Sequence, residues 1–167
     1  MSKEQEPKAA QRVRLILGDQ LNAAHGWLQQ PEANTLYVLM EVRQETDYAW
    51  HHIQKVLGFF GAMRRFADQL RKDGHRVVYL TLDDPRNTQH IPNNIRWILR
   101  ATGATNFSYQ LPDEYRLDLQ LKEFAAGCGC AVEVSDTEHF LTQREEIAEL
   151  FAGKKQYLME RFYRVMR

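Results

Sequence analysis

Residues Val13, Arg14, Leu15, Ile16 and Leu17 form a short apolar run that stops abruptly at Gly18, Asp19, Gln20 and Leu21. A run of this length ending on glycine and a carboxylate reads as a buried parallel strand, about 12–17, that delivers polar groups to its carboxyl end. In open α/β sheets that edge is where ligands sit. Four more runs follow: 35–42 after Pro31, 76–82 ending on Asp83, Asp84 and Pro85, 106–110 after the Gly103 turn, and 131–134 after Gly127 and Gly129.

The segments between the runs have helical spacing. Ile53, Val56, Leu57, Phe60, Met63, Ala67 and Leu70 recur at intervals of three and four, which predicts a long helix over about 47–72. Thr46 or Asp47 is a suitable cap for its start and Gly74 for its end. Gly58 and Gly61 fall inside it, each at a cost of about 1 kcal/mol relative to alanine, which implies close packing on the sheet or beside a ligand. Shorter helices are predicted over about 91–101 and from Asp113 and Glu114 to about 126. This alternation implies an α/β fold, a five-stranded parallel sheet with helices on both faces and right-handed crossovers. Thr142 to Glu145 has the form of a capping box. It predicts helix from there to Arg167, with a break at Gly153.

The chain has 167 residues, 44% hydrophobic and 26% charged, proportions of one globular domain with a full core. Lys and Arg (22) balance Asp and Glu (22), so no global field attracts nucleic acid. No apolar run is long enough to span a membrane, and no signal peptide is evident. The polar start, 1–11, reads as a disordered tail. Cys128 and Cys130 are separated by one glycine, a spacing awkward for an intramolecular disulfide and too few ligands for zinc. They read as two small residues at a turn before a strand, compatible with a reducing cytoplasm.

The strand ends should gather Gly18, Asp19 and Gln20, then Met40 to Glu45, then Asp83 and Asp84, then Leu111 to Glu114. Neither Gly-x-Gly-x-x-Gly nor the P-loop pattern follows any strand, so a backbone cradle for phosphate is lacking. A hydrolase nucleophile elbow is lacking as well. Carboxylates and amides in this number suit hydrogen bonding to a neutral heterocycle and its hydroxyls.

The segments Leu15 to Leu21, Glu41 to Glu45, His51-His52, Ala62 to Phe66 and Leu70 together resemble the amino-terminal domain of the photolyase–cryptochrome superfamily. The likeness is to its bacterial iron–sulfur (6-4) branch, the deoxyribodipyrimidine photolyase-related proteins. Met159 to Arg167 resembles the segment that enters that group's helical catalytic domain. The resemblance implies a Rossmann-like antenna domain over 12–140 and a linker helix over 141–167. A helical domain holding FAD and a four-iron cluster would be absent from the chain, and Cys128 and Cys130 lie in the wrong part of it to ligate that cluster. In the antenna domain it implies a 6,7-dimethyl-8-ribityllumazine chromophore, with Gly18, Asp19, Gln20, Met40, Glu41, Glu45 and His51 as candidate contacts and no catalytic or metal-binding residue. Asp19 and Glu45 are the expected acceptors over the first two strand ends. His51 and His52, placed one turn inside the long helix, cannot both face the pocket. Met40 would offer a soft apolar wall.

The parent would repair DNA (6-4) photoproducts by light-driven electron transfer from FAD, while this chain alone neither binds FAD nor repairs DNA. A cryptochrome-type blue-light receptor and a stand-alone α/β nucleotide-binding protein are the alternatives. Expected partners are the FAD-binding domain of the same parent, damaged DNA only through that parent, and no membrane. Phe151, Tyr157, Leu158, Phe162, Val165 and Met166 give the last segment apolar surface for that domain, or for a homodimer of the fragment. Arg161, Arg164 and Arg167 could meet acidic residues there.

Overall fold

A computed structural model of the chain describes residues 7–47 and 49–167. These fall into two compact units, one running to Thr137 and the other Glu138–Arg167. In the first, five parallel strands alternate with helices: β1 (Arg12–Leu15), β2 (Thr35–Met40), α1 (Ile53–Lys72), β3 (Val77–Leu80), α2 (Ile91–Thr102), β4 (Asn106–Gln110), α3 (Tyr115–Gly127) and β5 (Ala131–Ser135). The sheet order is β3-β2-β1-β4-β5, and every pairing is parallel. The expected α/β architecture is therefore present.

All six residues of β2 are buried, because its two faces are covered by different helices. Leu36, Val38 and Met40 join Val13, Leu15, Ile95, Ile98, Phe107 and Leu121 in one apolar layer with α2 and α3. Tyr37 and Leu39 alternate to the opposite face and join Ile16, Phe60, Met63, Ala67 and Leu70 of α1. The strand periodicity of two thus meets the helix periodicity of three to four on both sides. β5 is an edge strand, and Ala131, Glu133 and Val134 on it are exposed.

Several local expectations are corrected. α1 begins at Ile53, and its cap is His52, whose Nδ1 accepts from the Gln54 amide at 3.2 Å. His51 and His52 therefore precede the helix. Thr46 instead ends a single 3-10 turn, Arg43–Glu45. Gly58 and Gly61 have open space where a Cβ would stand, so no close packing accounts for them. Of the polar start, residues 1–6 lie outside the described residues. Residues 8–11 are pinned: Arg76 donates to the Lys8 and Ala9 carbonyls, and the Ala10 amide donates to Thr102 O at 3.2 Å.

In the second unit, α4 (Arg144–Leu150) has its capping box on Gln143 and Glu146, one residue later than the Thr142–Glu145 pair. The chain then leaves helical geometry, passes Gly153 at φ +67, and re-enters it at α5 (Met159–Val165). Phe151 is buried with its ring against Tyr157, centroids 5.2 Å apart. Leu158, Met159, Tyr163 and Val165 are exposed. Arg164 pairs with Glu160 one turn earlier at 2.6 Å. Among the described residues no helix is long and apolar enough to cross a membrane.

Candidate functional site

From β1 the chain steps outward through β2 and β3, then returns to add β4 and β5 on the other side. The order therefore reverses between β1 and β4, and the carboxyl ends of those strands flank a crevice. A cavity of about 180 Å³ lies here. Asp19 reaches it from the end of β1, Glu45 and His51 from the β2–α1 connection, and Glu114, Arg116 and Leu117 from the start of α3 after β4. Lys55, Val56 and Phe59 of α1 close another side.

Gln20 holds the crevice in register. It is 1% exposed. Its Oε1 accepts from the Leu17 amide at 3.1 Å, and its Nε2 donates to the Gln110 and Leu111 carbonyls at 3.3 Å each. One amide thus ties the end of β1 to the end of β4, where parallel pairing stops. Gly18 is required for a different reason. A Cβ there would stand 2.3 Å from Phe59 Cζ and 2.8 Å from Met63 Sδ, so the absence of a side chain lets the Phe59 ring approach the strand end.

The carboxylates have unequal environments. Glu114 caps α3 by accepting from the Arg116 and Leu117 amides at 3.2 Å, and Arg116 Nε donates to it at 2.7 Å. Burial raises the Glu114 carboxyl, but these bonds outweigh it and hold the group below its ordinary range. Glu45 behaves oppositely. Its Oε1 is shielded from solvent with no hydrogen-bond partner. Burial first, then the charge of Asp19, push its carboxyl up to about 7, against a counter-pull from Arg116. Near neutral pH Glu45 therefore occurs in both forms and can donate or accept, whereas an ionised carboxylate only accepts. His51 Nδ1 lies 3.3 Å from Lys55 Nζ. The walls combine apolar surface from Val56, Phe59 and Leu117 with donors and acceptors, the mixture general to small-molecule sites. Among the described residues no group of three or more His, Cys, Asp or Glu side chains is arranged to hold a metal ion.

Of the seven candidates from sequence, Asp19, Glu45 and His51 come together on this cavity. Gly18 and Gln20 do not line it; Gly18 leaves room for the Phe59 ring that does. Met40 and Glu41 are placed elsewhere. Met40 is 5% exposed in the α2 layer, with its sulfur accepting from Asn94 Nδ2 at 3.4 Å. Glu41 is fully buried and already saturated. Arg64 donates to it through Nε at 2.5 Å and Nη2 at 2.8 Å, Tyr79 Oη at 2.7 Å and the Leu82 amide at 2.9 Å. Burial raises the Glu41 carboxyl, and these donors outweigh burial and hold it low. A strand-end carboxylate next to an arginine on the covering helix is a fastening between layers, which spacing alone did not distinguish from a ligand contact. Sequence reasoning missed Lys55, Phe59, Arg116 and Leu117. The reversal of strand order would have pointed to the last two, since it makes the residues after β4 partners of those after β1.

Comparison with known proteins identifies the lineage. Residues 14–167 match the family described as deoxyribodipyrimidine photo-lyase-related protein. The chain is also 34% identical over 155 residues to a protein of Agrobacterium fabrum (strain C58 / ATCC 33970) named (6-4) photolyase. That match covers 92% of this chain and 30% of the relative, so the chain spans less than a third of the relative's length.

Proposed function

The chain belongs to the deoxyribodipyrimidine photo-lyase-related protein family, and from that membership we propose that it is the antenna domain of a light-driven DNA-repair protein. Its parent would act on (6-4) photoproducts by electron transfer from FAD, with FAD and an iron–sulfur cluster held in a helical domain outside this chain. The cavity between Asp19, Glu45 and Glu114 would seat a lumazine-type chromophore, 6,7-dimethyl-8-ribityllumazine.

The observation that carries this reading is the shielded, unpartnered Oε1 of Glu45 on a cavity at the strand-order reversal. A buried oxygen without a partner costs about 1–3 kcal/mol, and a ligand N–H or O–H would remove that cost. The donor set fits a dioxopteridine. Asp19 and Glu45 accept from its ring N–H or hydroxyls, Arg116 and Lys55 donate to its carbonyls, and Phe59, Val56 and Leu117 face its apolar surface. At about 180 Å³ the cavity is smaller than the roughly 300 Å³ at which pockets for whole drug-sized ligands begin. It therefore suits the ring system, with the ribityl chain at the open edge. When bound, such a chromophore supplies near-ultraviolet absorption and passes the excitation to the flavin. This chain's own part is to bind, orient and keep water from the ring.

In the full-length protein, Asp19→Asn and Glu45→Ala should each deplete the near-ultraviolet antenna absorbance and leave the flavin spectrum unchanged. Loss of flavin with the antenna retained would overturn the assignment.

A further inference from the structure

Cys128 and Cys130 take no part in the cavity, yet the fold sets them against each other. α3 ends at Gly127, and Cys128 follows with helical backbone angles. Gly129 then turns the chain at φ +73, a conformation open to glycine at little cost. Cys130 stands directly before edge strand β5. This reversal brings the two sulfurs into direct contact, 2.7 Å apart, so that a disulfide could close without moving either element. The left-handed Gly129 is what lets the chain reverse between them.

Both cysteines are free thiols and half-buried, so a small reagent can reach them from solvent. They sit at the margin of the apolar layer, beside Ala125 and Val132. Cys128 Sγ lies 3.5 Å from the Ala125 carbonyl and 3.6 Å from the Cys130 carbonyl. A bridge across a single intervening residue closes too short a loop to be much of a structural staple. What such a pair offers is chemistry.

We propose that Cys128 and Cys130 form a reversible dithiol–disulfide couple that exchanges with low-molecular-weight disulfides such as oxidised glutathione. The thiolate of Cys128 attacks one sulfur of the reagent. A protein–glutathione mixed disulfide forms and one glutathione thiolate leaves. Cys130 gives up its proton and attacks the Cys128 sulfur, and the second glutathione departs as a thiol. The net change is one protein dithiol and one glutathione disulfide converted to one protein disulfide and two glutathiones. Burial and the adjacent Cys128 sulfur both push the Cys130 thiol up, a direction that suits it to the second step.

The test equilibrates this chain with graded ratios of reduced and oxidised glutathione, quenches with acid, alkylates, and weighs the products. The expected product is a monomer two hydrogens lighter, with both thiols lost together and no glutathione attached. A persistent mixed disulfide, a covalent dimer, or two thiols still alkylated at the oxidising end would overturn the proposal. Cys130→Ser should stop at the mixed disulfide, and failure to acquire glutathione would overturn the exchange route. The fold should make closure about tenfold faster, or more, than in the urea-unfolded chain, since orientation is supplied in advance. Equal rates would mean that the fold does not poise the pair.

Discussion

Glu45 is held across one cavity from Asp19, and burial together with the Asp19 charge pushes its carboxyl up to about 7. A carboxyl whose folded-state value is raised binds more protons folded than unfolded. Stability therefore falls as pH rises from its ordinary value near 4.5 through about 7. Replacing the group with a neutral amide removes that loss. Glu45→Gln should stabilise the chain above neutrality by about 1–2 kcal/mol, after discounting for its partial exposure, and flatten its pH profile over that window. Urea unfolding at several pH values measures this, and parallel profiles for the two proteins would contradict it.

Arg64 and Glu41 join α1 to the end of β2, and the effect of removing the arginine follows from what stays behind. Glu41 would keep Tyr79 and the Leu82 amide but lose both guanidinium bonds. Arg64→Ala should cost about 2–3 kcal/mol, below the value for a fully buried pair because Arg64 is itself exposed to solvent. Arg64→Lys should recover only part of this, since an ammonium cannot match the two-pronged geometry. Because Glu41 is held low, its contribution is present above its ordinary value and lost as pH falls. Acid unfolding should therefore begin at higher pH in Arg64→Ala.

Gly18→Ala tests the approach of Phe59 to β1. The added methyl would overlap the ring edge and the Met63 sulfur. The expected result is destabilisation of about 1–3 kcal/mol, with a change in the Phe59 wall of the cavity and, on the proposed function, weaker lumazine uptake in the full-length protein. Unfolding and antenna absorbance measured on the same variant separate the two effects. Unchanged values of both would show that the ring moves freely.

Gln20→Leu keeps the approximate volume and removes the hydrogen bonds to Leu17, Gln110 and Leu111. It should cost about 1–3 kcal/mol, the range for leaving buried backbone groups without partners. Amide hydrogen exchange should rise first at the ends of β1 and β4. Protection unaltered there would contradict the role given to this side chain.

Hydropathy and spacing along the chain were enough to specify the layered fold. Apolar runs of strand length without alternation indicate strands of a sheet covered on both faces, as β1, β2 and β3 are. Helical stripes between them leave few options other than a parallel sheet covered on both sides. They also determined which strand ends carry carboxylates. The start of α1 lies later than spacing implies because His52, a weak capping signal, caps the helix, and the stretch before it holds only a 3-10 turn, Arg43–Glu45. The box of α4 was displaced by one residue because Thr142 and Gln143 offer neighbouring frames.

Which carboxylate remains available depends on contacts made only in the folded chain. Glu41 and Glu45 are four residues apart and look alike in sequence. Glu41 meets an arginine from the covering helix, a tyrosine from the adjacent strand and a backbone amide beyond it. Glu45 lies on the cavity with an oxygen that meets no partner. That difference depends on groups 23 to 41 residues away from Glu41 along the chain, brought together by strand order and helix packing. Local sequence reports which functional groups are present, and the satisfaction of each buried one is settled by neighbours that only folding supplies.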